Sequence, residues 1–214
     1  MASIGKITGV NGNLIRVKFE SAVSQNEVAY AKLVTKNKEG KAEIIPLKSE
    51  VIRIRGDYAE LQVFEDTTGL KAGDEVEFTG ELLSVELGPG LLTQVFDGLQ
   101  NPLPKLADEC GFFLQRGKYL KALPRDTKWA FTPVAKVGDV VVAGDTIGTV
   151  PEGVFSHRIM VPFKLLGKWT VDYVTPAGDR VVEDVVAKLK NDKGETVDVT
   201  MVQTWPVKMP IKAF

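Results

Sequence analysis

Residues 137–150 read Val137-Gly138-Asp139-Val140-Val141-Val142-Ala143-Gly144-Asp145-Thr146-Ile147-Gly148-Thr149-Val150, two Gly-Asp turns set around a β-branched strand. Glycine supplies the backbone freedom a turn needs, aspartate bonds its own backbone, and branched side chains favour a pleated surface. A related phrase returns at Gly167-Lys168-Trp169-Thr170-Val171-Asp172-Tyr173-Val174, followed by Ala177-Gly178-Asp179-Arg180-Val181-Val182. The two phrases form a degenerate repeat of about 40 residues, too irregular for a solenoid. Two similar halves predict two facing sheets over 111–190, a barrel-sandwich-hybrid-like β module.

Towards the N-terminus the strand pattern is different. Ile4, Ile7, Gly9 and Val10 lead into Asn11-Gly12-Asn13, a hairpin turn, and then Leu14-Ile15-Arg16-Val17-Lys18-Phe19. Ala29–Val34, Ala42–Ile45 and Val51–Ile54 follow, and Gly56-Asp57 turns the chain into Tyr58–Phe64. Short strands at regular spacing predict a small closed β-barrel over 1–80, because closure removes the exposed sheet edges. Between the modules, Gly80–Leu87 reads as a last strand, broken by Gly88-Pro89-Gly90. Leu91, Leu92, Val95, Phe96 and Leu99 then share one helical face, with Pro89 near the start and Asn101-Pro102-Leu103-Pro104 at the end. The pattern predicts a short helical connector within 81–110. Thr196–Val202 is one more alternating strand, in a closing segment 191–214. The expected class is mainly β.

The chain has 214 residues, 44% hydrophobic and 26% charged, ordinary for one or two globular domains. Lys plus Arg number 27 against 28 Asp plus Glu, and no dense basic run occurs, so no nucleic-acid partner is expected. Cys110 is the only cysteine, which rules out an intrachain disulfide and fits a reducing compartment. No apolar run has the length of a membrane span, so direct membrane insertion is not expected.

Candidate chemistry is sparse. His157 is the only histidine and Cys110 its only strong potential co-ligand, so a metal site lacks donors and His157 reads as structural or surface. Cys110 follows Ala107-Asp108-Glu109, an acidic setting that opposes thiolate formation. The paired Gly-Asp turns invite comparison with lipoyl and biotinyl carrier domains, which present a lysine at a hairpin tip. The corresponding stretch Pro151–Pro162 has no lysine, so covalent cofactor attachment is not expected. Gly88-Pro89-Gly90 precedes an expected helix, but no Gly-x4-Gly-Lys-Ser/Thr string occurs in the chain. Trp129, Trp169 and Trp205 could stack bases beside lysines, but packing is the better use. The carboxylates show no catalytic spacing beyond the Gly-Asp turns. No catalytic, cofactor-binding or metal-binding residue is assigned.

These residues resemble a known family. Ile4-Gly5-Lys6-Ile7 to Val17, Gly80–Leu92, Phe96-Asp97-Gly98-Leu99-Gln100-Asn101-Pro102-Leu103, Lys128–Pro133, Gly144–Glu152, His157–Pro162, Pro176–Asp179, Val182–Val185 and Met201–Val207 are similar, in order, to the N-terminal part of the catalytic A subunit of vacuolar and archaeal-type rotary ATPases. The resemblance implies that 1–80 is the barrel of a crown shared with B subunits and other A subunits in an alternating ring. It implies that 81–110 leads towards a nucleotide-binding domain, that 111–190 is the bulge insertion touching peripheral stalk subunits, and that 191–214 returns to the nucleotide-binding domain. It further implies ATP and Mg in the full parent, none in this part, and a place on the cytoplasmic face of a membrane. The parent would couple ATP synthesis or hydrolysis to proton or sodium movement. By this resemblance the chain is expected to be an excised or truncated part, inactive alone. The alternative is a stand-alone β-barrel interaction or nucleic-acid module.

Overall fold

The computed structural model describes residues 3–36, 40–111 and 113–211. Internal contacts divide the chain into two compact units: Met1–Leu83 with Ala107–Tyr119, and Ser84–Leu106 with Leu120–Phe214.

The first unit contains β1 (Ser3–Asn11), β2 (Leu14–Phe19), β3 (Glu27–Lys36), β4 (Ala42–Arg55), β5 (Tyr58–Val63) and β6 (Glu75–Leu82). They close into a barrel in the order β1-β2-β5-β4-β3-β6, every neighbouring pair antiparallel. Period-two alternation decides which side chains enter. In β2, Ile15 and Val17 are buried while Leu14, Arg16 and Lys18 face outward. Ile7, Leu47, Val51, Leu61, Val63 and Phe78 are among the other buried core residues. In the first hairpin Gly12 takes φ 59° and Asn13 does not join it, as in hairpin turns with glycine at the first central position. Gly5 marks a close approach: a Cβ there would lie 2.6 Å from Val17 Cγ1 and 2.8 Å from Lys18 O.

The segments read as separate strands at 42–45 and 51–54 are one 14-residue strand, β4. Pro46 does not interrupt it because β5 pairs with β4 only from Ser49 onward, which leaves Pro46 where β4 has one neighbour. Residues 113–119 also belong to this unit. Arg116 Nη1 donates to Asp66 O (3.1 Å) and Thr68 O (2.7 Å), and Gly117 N donates to Glu65. The Tyr119 hydroxyl donates to Glu65 Oε2 at 2.6 Å and accepts the Lys48 amide at 2.6 Å. Burial first, and then the bond to Glu65, push the Tyr119 phenol well above its ordinary value of 10.0.

The second unit begins with β7 (Ser84–Leu87). α1 (Leu103–Cys110) leads the chain out of it, and it resumes at Leu120 with β8 (Trp129–Pro133), β9 (Val140–Val141), β10 (Thr146–Glu152) and β11 (Phe155–Met160). Then come β12 (Trp169–Val174), β13 (Gly178–Arg180), β14 (Val185–Lys190), β15 (Thr196–Thr200) and β16 (Gln203–Pro206). Two four-stranded sheets run β11-β10-β8-β13 and β15-β14-β12-β9, and β7 pairs with β16 as a separate ribbon. Each sheet takes three strands from one half of the internal repeat and one from the other, so the halves are interleaved. Phe131, Ile147, Val150, Val171, Val186, Leu189 and Val199 fill the core.

The helix expected over 91–99 is absent, and the only helix among the described residues is α1. Asp97 explains the difference. Its carboxylate accepts the Leu99 and Asn101 amides and the Asn101 side chain, local bonds that compete with a helical ladder. Thr93 and Gln100 take φ 63° and 65°, which a helix excludes. Pro102, expected to end a helix, instead precedes one, accepting the Leu106 amide on its carbonyl. The boundaries drawn at 110 and 190 also differ from the units. Residues 113–119 bond to the barrel, and 190 falls within the β14–β15 hairpin. Of the closing segment, 212–214 lie outside the described residues.

Candidate functional site

The polar centre of the second unit is Glu152, the last residue of β10, 6% exposed. The β10–β11 hairpin pairs Glu152 with Phe155 and Val150 with His157. Glu152 Oε1 accepts the amides of Gly90 (2.7 Å) and Leu92 (3.1 Å), and Oε2 lies 2.6 Å from His157 Nδ1. One buried carboxylate therefore binds two converging backbone N–H groups and an imidazole. Such paired amides can hold an anion; here the chain supplies that anion itself. The Gly88-Pro89-Gly90 loop is thus not an open phosphate cradle, and its glycines serve close packing. A Cβ on Gly88 would lie 2.6 Å from Met201 O, and one on Gly90 2.9 Å from Pro124 Cδ.

A second polar cluster joins Arg125 to Glu86 and Glu183. The Arg125 guanidinium pairs with Glu86, and its Nε lies 2.7 Å from Glu183 Oε1, which also meets Lys121 Nζ at 3.0 Å. Glu86 further accepts the Leu123 amide. Hydrogen bonding from Lys121, then the nearby cations, hold the exposed Glu183 carboxyl below its ordinary range. These contacts fasten β7 to the residues preceding β8.

The Gly-Asp phrases resolve into one repeated turn. Asp74, Asp139, Asp145 and Asp184 each accept, on the side chain, the amide three residues earlier: Lys71, Lys136, Val142 and Val181. Gly178-Asp179 is not among them, since it opens β13. The turn of the second half is instead Val181-Val182-Glu183-Asp184.

His157 is thus a partner of Glu152, and no group of three or more His, Cys, Asp or Glu side chains among the described residues is arranged to hold a metal. Cys110, half-buried, ends α1. Trp169 is buried with its indole N–H on Leu166 O, Trp205 bonds Met209 O and meets Phe163 edge-on, and Trp129 packs against the core. Neither Trp169 nor Trp205 is a free stacking platform. No helix among the described residues is long and apolar enough to cross a membrane.

The closed barrel fits the barrel that the resemblance implies over 1–80, and the interleaved module fits the two facing sheets read from the internal repeat. Residues 7–80 match the model described as "ATP synthase alpha/beta family, beta-barrel domain" and residues 120–208 the "ATPsynthase alpha/beta subunit barrel-sandwich domain". The chain belongs to the ATP synthase alpha/beta family. Within that family it is similar to proteins named V-type ATP synthase alpha chain. It is 54% identical to that of Treponema denticola over 210 residues, 98% of this chain and 34% of the relative. It is 50% identical to that of Borreliella burgdorferi over 211 residues, 99% of this chain and 35% of the relative. With the V-type ATP synthase alpha chain 1 of Treponema pallidum it shares 51% over 210 residues, 98% and 34%. The chain spans about a third of the length of these relatives.

Proposed function

We propose that this chain is the scaffold portion of the catalytic subunit of a V-type rotary ATP synthase, organising neighbouring subunits while nucleotide chemistry belongs to other parts of that subunit. The observation carrying this reading is identity of about half along nearly the whole chain to V-type alpha chains. The barrel would pack against the barrels of B subunits and further copies in an alternating ring. Its continuous ladder suits a collar, since a closed sheet resists deformation when attached domains move. The two-sheet module would contact peripheral stalk subunits. The parent would use ATP and Mg to couple synthesis or hydrolysis to proton or sodium movement, from the cytoplasmic face of a membrane.

The test of the stalk role follows the observed units. In a full-length subunit, Trp129–Thr200 is replaced by a short flexible linker, which leaves the 113–119 segment and the β7–β16 ribbon intact. The complex is then purified and its stalk subunits quantified. Loss of stalk subunits with the ring preserved is the expected result; undiminished stalk content overturns the assignment.

A further inference from the structure

Beside the Glu152 hub, within the second unit, lies a cleft of about 400 Å³ lined by Leu92, Thr93, Gln94, Lys105, Thr127 and Trp129, among others. This volume is in the range of small-molecule sites. Three independent observations mark it as more than a surface hollow. First, the indole N–H of Trp129 is buried and has no hydrogen-bond partner, an arrangement that native proteins rarely leave unexplained. Second, Thr93 on the cleft wall takes φ 63°. A β-branched residue is strained in that region, and such strain concentrates at ligand sites. Third, the wall is held rigid from behind, because Glu152 grips the amides of Gly90 and Leu92 and Gly90 has no room for a Cβ.

The chemistry of the lining selects the ligand. Lys105 carries a cation with no ion pair among the described residues, and Thr93, Gln94 and Thr127 add side-chain donors. The carboxylate in the lining, Glu152, already has both oxygens engaged. Leu92, Pro102, Pro104, Pro124 and the Trp129 ring supply an apolar floor. We propose that this cleft binds a small molecule carrying an oxyanion, a carboxylate or a phosphate, on an apolar or aromatic body. The anion lies towards Lys105 and the body lies over the prolines and the indole.

The test uses the intact 214-residue chain labelled with 15N. Phenyl phosphate and phenylacetate are titrated as probes, with benzyl alcohol as the uncharged control. The indole N–H resonance of Trp129, assigned with Trp129→Phe, is followed. At least one anionic probe is expected to move it saturably, the preferred one identifying the oxyanion, and benzyl alcohol is expected not to. Lys105→Gln, at an exposed position, is expected to weaken binding about tenfold, the worth of one charge-assisted hydrogen bond. No saturable shift with either anion overturns the proposal. So does equal binding of benzyl alcohol, or unchanged affinity in Lys105→Gln with its spectrum otherwise intact.

Discussion

The barrel and the two-sheet module are both antiparallel β structures with apolar cores, but they are closed by different means. In the barrel every strand has two hydrogen-bonded neighbours, and the ladder from β6 back to β1 completes the ring. In the two-sheet module the backbone ladders stop at sheet edges, and side chains add fastening through the Arg125 cluster and Glu152. The contrast teaches where each unit is vulnerable. Both units contain a buried carboxylate that accepts two backbone amides, Glu27 in the barrel and Glu152 in the two-sheet module, but only in the barrel does an unbroken ladder also join every strand.

The largest effect should therefore come from Glu152. In Glu152→Ala two loop amides and the His157 ring lose their acceptor, which for buried groups costs about 2–4 kcal/mol. Hydrogen exchange is the informative measurement, because the amides of Gly90 and Leu92 should lose protection while those of β2 and β5 keep theirs. Equal loss in both units would mean that the carboxylate is not a local pin. Glu152→Gln, which keeps one acceptor oxygen, should fall between Ala and the native residue.

Legibility in the sequence follows the same division. The barrel is readable because alternation is a local signal: Ile15 and Val17 against Arg16 and Lys18 already name the inner face. The interleaving of the two sheets is readable only as a repeat, since the partner of β9 is β12, well beyond any local window. The helix over 91–99 fails for an instructive reason. Apolar periodicity at Leu91, Leu92, Val95 and Leu99 is real, yet Asp97 bonds the backbone around it and leaves Val95 61% exposed. Glu152 is invisible because its partners come from residues 60 and 62 positions away. A lone glutamate at the end of a strand gives no hint that it is buried. The binding of 113–119 to the barrel is equally hidden, resting on Tyr119 reaching Glu65 across 54 residues.

That segment gives the next test, intermediate in size and specific to the barrel. Removing the Tyr119 hydroxyl in Tyr119→Phe leaves Glu65 and the Lys48 amide short of a partner, a loss of about 1–2 kcal/mol near neutrality. Its pH dependence is the sharper readout. The folded phenol titrates above 10.0 and the unfolded one near it. The stabilisation is then complete below that pH and is lost as pH rises beyond it, where only the unfolded chain releases the proton. Native stability should thus fall more steeply above pH 10 than that of Tyr119→Phe, in parallel urea titrations. Identical alkaline slopes would remove the hydroxyl from the account. Tyr30, whose phenol is also raised by burial and by Glu81, contributes the same sign and itself helps to raise Tyr119, so Tyr30→Phe is the parallel control.

The smallest effect belongs to the barrel's outer charges. Lys18 and Asp57 stand 3.6 Å apart with half of each side chain exposed, whereas Arg125 and Glu86 in the other unit are about four-fifths covered. Solvent screens the first pair and side-chain entropy opposes it, so Lys18→Ala should change stability by less than about 0.5 kcal/mol. The measurement is a urea midpoint at low and high salt. A loss several times larger, shrinking with added salt, would show that the barrel depends on its outer charges as well. The claim that these outer charges add little to the backbone ladder would then fall.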